Sequence, residues 1–246
     1  MVRNASILRF ATVLVLAGVA GGSAAAQSGE AGAGQEHGRG SFQVGYIGLD
    51  LGALNSRLVA TGYPRLKGEF LTLGGGGYGS KGHLVFGGEG HALVGQNVTT
   101  TGGAYDVTIG GGYGMVRVGY DAVSHESYEI TPSLGLGGGA MQIEIRGRSA
   151  PTFSQVLTDP GRSSRLSTGG FLMDLGVAAE YRFHVREQKD GRIGGPMMGL
   201  STGYVFSPGT GNWTLDNINT AAEGPKLDIE GLYVRLSLGG WGHRVR

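Results

Sequence analysis

Apolar residues alternate with small or polar ones along residues 168–185, which read TGGFLMDLGVAAEYRFHV. Every second residue from Phe171 to Phe183 is apolar, and most of the residues between them are small, polar or charged. Successive side chains of a β-strand point to opposite faces, so this period of two predicts a strand with one apolar face. Thirteen residues at about 3.3 Å each, tilted by about 40°, span about 30 Å, the thickness of a bilayer's hydrocarbon core. The stretch therefore predicts a lipid-facing strand of a β-barrel.

Seven further stretches show weaker forms of the same pattern. With the stretch above as the sixth strand, their approximate ranges are 41–56, 69–79, 82–95, 104–122, 126–146, 195–206 and 227–241. Short links follow the second, fourth and sixth strands, whereas the other links are longer and rich in Pro, Gly, Ser, Thr and Asn. Antiparallel membrane barrels have short turns at one end and long loops at the other. We therefore expect an all-β fold, a single antiparallel up-and-down transmembrane β-barrel of eight strands, or of ten if the long loops contain another hairpin.

The N-terminus predicts export. Residues 1–26 contain Arg3 and Arg9, an apolar run and a run of three alanines, which together are typical of a cleavable signal peptide. Residues 27–40 have almost no apolar side chains and predict a flexible leader, so the barrel would occupy 41–246. The chain has no cysteine and a formal charge of only +1. A disulfide framework is therefore excluded, and nucleic acid is not an expected partner.

The segments FLMDLGVAAEYRF, GPMMGLSTGYVF and GLYVRLSLGGW, with short turns opposite long loops, resemble in layout the small outer-membrane β-barrel proteins. The resemblance is to OmpA- and OmpX-like eight-stranded barrels and covers about residues 41–241. It implies a location in the bacterial cell outer membrane after signal-peptide cleavage, surrounded by outer-membrane lipid. That family usually ends its last strand with a C-terminal aromatic residue. Here residues 242–246 follow Trp241, which is out of phase with the alternation from Leu232 to Leu238.

The second face of each strand separates a membrane barrel from a soluble, lipocalin-like one. It carries mainly Gly, Ser, Thr and Ala with a few charges, which suits a filled lumen better than a surface washed by water. Charges in a lumen need partners because their desolvation is costly. We therefore predict a cross-strand charge network in the lumen, formed by Glu89, Asp174, Glu180, Arg182 and Arg235.

Two further groups are candidates for binding. The link between the fifth and sixth strands has a candidate anion-binding loop containing Arg146, Arg148, Arg162 and Arg165. Arginines there could bind lipopolysaccharide phosphates or the carboxylates of a surface partner, or they could be solvated loop charges. Glu89 and His91 share a strand face, but a metal site needs three or more ligands, so no metal and no cofactor is predicted.

Three functions remain open. The first is a structural or surface-interaction barrel, without enzyme activity, whose lumen is largely filled and whose long external loops carry the function. The second is a narrow pore or a conduit for hydrophobic solutes. The third is an esterase, because His125 and Ser127 have the H-x-S spacing of the outer-membrane lipid A deacylases, which the chain resembles only in those two residues. Our layout places this pair at a short turn, and neither the ligand nor the oligomeric state is predicted.

Overall fold

A computed structural model describes residues 36–100, 104–148, 152–158, 163–183, 192–216, 219–221 and 223–244. Its strands are β1 (Glu36–Gly48), β2 (Glu69–Lys81), β3 (Leu84–Thr99), β4 (Tyr105–Tyr120), β5 (Val123–Ser124), β6 (Tyr128–Gly147), β7 (Ser163–Arg182), β8 (Arg192–Thr210), β9 (Trp213–Leu215), β10 (Asn219–Ala221) and β11 (Gly231–Arg244). Helix α1 (Gly52–Ala60) follows β1, and helix α2 (Phe153–Thr158) follows β6. No helix in this part of the chain is long and apolar enough to cross a membrane. The signal peptide predicted for 1–26 lies outside the described residues.

Eight long strands form a closed antiparallel barrel. Each pairs with the next in the order β1, β2, β3, β4, β6, β7, β8, β11, and β11 pairs again with β1. The short strands lie outside this wall, since β5 pairs with the start of β6, β9 with β7, and β10 with β9. The predicted all-β, eight-stranded antiparallel barrel is confirmed. We call the end that carries the β2–β3, β4–β6 and β7–β8 connections the short-turn end, and the opposite end the long-loop end.

The start of the barrel differs from the prediction. Residues 36–40, expected in the flexible leader, belong to β1 and pair with both β2 and β11. In a membrane-spanning wall the backbone N–H and C=O groups of β2 and β11 need hydrogen-bond partners, and residues 36–40 provide them. Residues 49–56, expected to continue the first strand, instead turn into α1 at Gly52. Leu54 and Leu58 of α1 are buried, so the helix packs one apolar face onto the barrel end.

The last strand also differs from its predicted range. It begins at Gly231 and not at Leu227, and it continues past Trp241. Its register with β1 and with β8 runs without interruption through Trp241. Trp241 therefore has the same phase as Tyr233 and Arg235, so its side chain lies on the lumen side of the wall.

The apolar face of each strand points outward. The predicted lipid-facing residues are 50 to 69% exposed, and they are Phe171, Leu175, Leu200, Leu232, Val234 and Leu236. Between them on the same strands, Asp174 and Arg235 are almost fully buried in the lumen. This arrangement is the reverse of a soluble domain, whose apolar face is inside, and it suits a barrel surrounded by lipid.

Glycine occupies different environments on the two faces. A Cβ at the inward-facing Gly203 would collide with the Leu175 carbonyl oxygen and the Tyr233 hydroxyl. On the outward face, Gly240, Gly40, Gly77 and Gly88 lie opposite one another across four neighbouring strands. We call these four residues the glycine row. A Cβ at each would find its nearest atom at 3.4 to 3.9 Å, so packing within the barrel does not demand glycine there.

Candidate functional site

The lumen changes chemically along the barrel axis. At the long-loop end it holds an apolar core, formed by side chains of the barrel strands together with α1, Trp213 of β9 and the loop residues Leu227 and Ile229. Charged groups occupy the middle of the lumen and the short-turn end. The barrel is therefore closed by packing at one end and crossed by ion pairs along the rest.

The middle of the lumen contains four charged residues that we call the central cluster: Glu89, Arg117, Asp174 and Arg235. Arg235 Nη1 donates to Glu89 Oε1 at 3.0 Å, and Arg117 Nε lies 2.9 Å from the same oxygen. Arg117 Nη2 also lies 2.7 Å from Asp174 Oδ1, which links β3, β4, β7 and β11 across the lumen. All four side chains are at most 7% exposed. Two carboxylates face two guanidinium groups, so the cluster is balanced in charge.

Aromatic side chains surround the central cluster. The Tyr78 hydroxyl donates to Glu89 Oε2 at 2.7 Å, and the Tyr233 hydroxyl donates to Asp174 Oδ1 at 3.2 Å. The Arg235 guanidinium lies 3.6 Å from the centroid of the Tyr233 ring, a cation–π contact. These contacts add to the ion pairs that solvate the buried charges, while Asp174 Oδ2 is buried without a hydrogen bond within the described residues.

A second set of charges lies near the short-turn end, and we call it the mouth cluster: Arg39, Glu129, Glu180 and Arg182. Arg39 Nη1 lies 2.6 Å from Glu129 Oε2 and 3.0 Å from Glu180 Oε2. Arg182 also pairs with Glu129, and its guanidinium lies 5.3 Å from the centroid of the Trp241 ring. This cluster likewise balances two acids against two bases.

The five residues predicted for one network are divided between these two clusters. Glu89, Asp174 and Arg235 belong to the central cluster, and Glu180 and Arg182 belong to the mouth cluster. Sequence reasoning missed Arg39, Arg117 and Glu129. Arg39 fell in the segment taken for the leader, and Arg117 lies on a strand whose alternation was poor. The phase of Arg117 with the buried Met115 was the signal that could have identified it.

A cavity of about 40 Å³ lies between the two clusters and is lined by Arg39, Glu89 and Arg117 among others. One water needs about 10–15 Å³ of such volume, so the cavity has room for about three. This space is far smaller than the pockets of several hundred cubic ångströms that hold organic ligands.

The loop arginines lie at the opposite end of the barrel. Arg146 pairs with Glu144 and is 61% exposed, and Arg148 Nε lies 3.5 Å from Asp106 Oδ2. The backbone N–H of Arg165 donates to Asp216 Oδ1 at 3.3 Å. Arg162 lies outside the described residues. The three described arginines, Arg146, Arg148 and Arg165, are therefore exposed at one rim with carboxylates beside them.

The remaining candidates are not assembled into a site. His125 lies in the exposed turn before β6 and stacks on Tyr128, with ring centroids 5.0 Å apart. Ser127 lies in the same turn, and Glu144, a candidate third member of such a site, is at the other end of β6. His91 Nε2 lies 3.3 Å from Glu89 Oε1 within the lumen.

The fold and the filled lumen define a closed eight-stranded β-barrel with an apolar outer face, the layout of the small outer-membrane barrels. No family model matches the chain. No curated protein matches it either.

Several solved outer-membrane barrels are similar to the chain. Ail of Yersinia pestis, solved in complex with the heparin analogue sucrose octasulfate, has 12% identity and a TM-score of 0.42 over 86% of this chain and 99% of Ail. Neisserial surface protein A has 10% identity and a TM-score of 0.35 over 88% of this chain and all of that protein. The outer membrane protease OmpT of Escherichia coli has 10% identity and a TM-score of 0.37 over 89% and 100%.

Proposed function

We propose that this protein is a sealed β-barrel of the bacterial outer membrane that presents its long-loop end for interactions at the cell surface. The observation that carries the proposal is the reversed polarity of the wall, with apolar side chains outside and ion pairs inside. Only lipid stabilises an exposed apolar belt of this kind on every strand. In this proposal residues 1–26 are removed during export.

The filling of the lumen favours a sealed barrel over a narrow pore. The apolar core closes the long-loop end, and the central cluster crosses the middle with four buried charges. A path for ions would need these groups to separate, and breaking a buried ion pair typically costs about 3–5 kcal/mol. The cavity of about 40 Å³ between the clusters has room for only a few waters.

Reconstitution in planar lipid bilayers tests the seal. We expect no stable single-channel currents from the folded chain, because the apolar core and both charge clusters occupy the lumen. The matched control is the same amount of chain added in urea without folding. Stable open-channel currents that require the folded chain would contradict the sealed barrel and favour the pore.

The exposed rim at the long-loop end is the part of the protein that we assign to recognition. Arg146 and Arg148 are 61% and 51% exposed, and Phe153 and Leu157 of α2 are 80% and 68% exposed. Exposed arginines and exposed apolar side chains in one connection are typical of a binding surface. The chemistry fits an anionic group such as a lipopolysaccharide phosphate or the carboxylate of a surface partner. To bind it, Arg146 and Arg148 would have to release their present partners, Glu144 and Asp106.

Paired charge variants test the rim. We expect Arg146→Ala/Arg148→Ala to weaken binding of lipopolysaccharide to the detergent-solubilised barrel by about tenfold, since two charge-assisted contacts are lost. Arg57→Ala/Arg65→Ala removes the same charge from the connection between β1 and β2 and is the matched control. Equal loss in both variants would mean that the net charge of the long-loop end, and not these two arginines, governs binding.

A further inference from the structure

A second, smaller cavity lies at the short-turn end of the lumen, and we call it the end cavity. Its volume is about 10 Å³, which is room for one particle of about the size of water. The side chains that line it are those of His37, Arg39, Ser80, Arg182 and Trp241. This described lining contains two guanidinium groups, an imidazole and an indole, and no carboxylate. An occupant of the end cavity therefore meets mainly hydrogen-bond donors.

Two permanent donors of this lining have no partner. Arg39 Nε and Trp241 Nε1 are shielded from solvent and make no hydrogen bond within the described residues. Both nitrogens carry a hydrogen and neither can accept one. Because nearly all buried polar groups in proteins are paired, these two donors require an acceptor. The end cavity is the space that adjoins both residues.

The carboxylates of the mouth cluster are bound to other nitrogens of the same arginines. Glu129 and Glu180 take Arg39 Nη1, and Glu129 also pairs with Arg182 Nη2. The side chains of Arg39 and Arg182 are each 9% exposed. The Arg182 guanidinium also lies over the Trp241 ring, 5.3 Å from its centroid. These contacts hold the two arginines and the indole in place beside the end cavity.

Two histidines add groups that can become positive. His37 lines the end cavity, and His243 lies directly opposite it on β11, with ring centroids 4.8 Å apart. The Nδ1 atom of each is shielded from solvent and makes no hydrogen bond within the described residues. The charged groups that act on His37 are mostly cationic, and they are His243, Arg182, Arg39 and, with the opposite sign, Asp121. An anion is therefore the kind of charge that this lining suits.

We propose that the end cavity binds one chloride ion and that protonation of His37 and His243 accompanies binding. A halide ion is only slightly larger than water, whereas phosphate or a carboxylate has several heavy atoms and exceeds a space of about 10 Å³. Hydrogen bonds to a charged acceptor are about twice as strong as those to a neutral one, so chloride would satisfy the free donors better than water.

The charges at this end explain why protons accompany the ion. Two guanidinium groups, of Arg39 and Arg182, stand against three carboxylates, of Glu129, Glu180 and Asp121. The balance is −1 with neutral imidazoles, −2 with chloride added, and zero once both imidazoles are protonated. Histidine ordinarily titrates near about pH 6.5, so chloride should bind more tightly as the pH falls through this range and more weakly above it.

Chlorine-35 NMR of the folded full chain in detergent tests the site. At about pH 5.5, where imidazoles are largely protonated, the chain should add a line broadening that saturates with chloride and disappears when bromide competes. Trp241→Phe keeps the ring but removes a donor, and it should weaken chloride binding about fivefold. Trp213→Phe is the matched control, since that indole donates to the Pro225 carbonyl oxygen at the long-loop end. Equal affinity in the Trp241→Phe variant and the unaltered chain would overturn the proposal.

The pH dependence gives a second readout. From about pH 7.5 to about pH 5.5 the affinity should rise at least tenfold in the unaltered chain, and by about threefold or less in His37→Gln. His83→Gln is the matched control, because His83 is exposed at the same end of the barrel. A full rise in His37→Gln, or no rise in the unaltered chain, would refute the coupling to His37.

Bromide diffraction covers the case in which the variants do not fold. Crystals of the unaltered chain, soaked in sodium bromide, should show an anomalous peak within hydrogen-bond reach of Arg39 Nε and Trp241 Nε1. Ordered water there without an anomalous signal would mean that water alone satisfies these donors, and would overturn the proposal. The end cavity is at the opposite end from the rim, so its failure would leave the proposed surface role untouched.

Discussion

Arg235 is almost fully buried in the lumen, at 1% exposure. It donates to Glu89 and lies against the rings of Tyr113 and Tyr233. A charge so far from water depends on these neighbours for its solvation. The stability of the barrel therefore depends on each charge in the central cluster keeping a partner of opposite sign.

Arg235→Ala should lower the free energy of unfolding by about 3–5 kcal/mol, because Glu89 loses one of its cationic partners while it stays buried. The measurement is urea unfolding in lipid vesicles, followed by tryptophan fluorescence. Arg148→Ala is the control, since its pair is half exposed and worth about 0–1 kcal/mol. Similar losses in the two variants would mean that the central cluster is not desolvated as described.

Substitutions at glycine separate the two faces of the wall. Gly203→Ala should destabilise the barrel by about 1–3 kcal/mol, since the new methyl group collides with backbone and with Tyr233. Gly77→Ala, in the glycine row, has its nearest atom at 3.9 Å and should change stability by less than about 0.5 kcal/mol. The same urea titration distinguishes them, and a larger loss at Gly77 would contradict the assigned faces.

At the scale of the element, each barrel strand is a boundary between lipid and lumen. Leu236 lies near the middle of β11 and is 56% exposed. Leu236→Arg should cost about 2–4 kcal/mol if the residue contacts the centre of the bilayer. Leu84→Arg, beside the turn before β3, should cost only about 0–1 kcal/mol because it lies near the interface. Equal and small costs at both depths would argue against the lipid-facing assignment.

Helix α1 is attached to the barrel through its buried face. Leu58→Asp should release it, because burying a carboxylate among apolar side chains is costly. Trypsin would then cleave at Arg57 and Arg65 while the barrel stays intact. Val59→Asp, at a position that is 46% exposed, is the control and should remain resistant. Cleavage that is equally fast in both variants would mean that the helix is already loose.

How far the sequence predicts these elements depends on the strength of the alternation. In β7 the period of two is unbroken, so both faces of the strand are predicted correctly from Phe171 to Phe183. Ile47, Leu49 and Leu51 continue that period past the end of β1, which concealed the change to α1. The partners of Arg235 could not be predicted, because they come from strands across the lumen and depend on the register of the whole barrel.

For the whole molecule, closure of the sheet predicts resistance to detergent. Unheated in SDS, the folded chain should run on a gel as a compact band, and boiling should slow it, because a closed barrel has no strand edge from which to unravel. The compact band should be found in the outer-membrane fraction. A single position before and after boiling would contradict a closed membrane barrel.

The apolar core at the long-loop end has a consequence for recognition. Trp213, Leu227 and α1 are packed into that core, so the conformational entropy of these connections is already lost when the barrel folds. A ligand that contacts them would meet a preordered surface and would not need to immobilise it. Binding there should therefore show a small entropic penalty and the same backbone geometry with and without ligand.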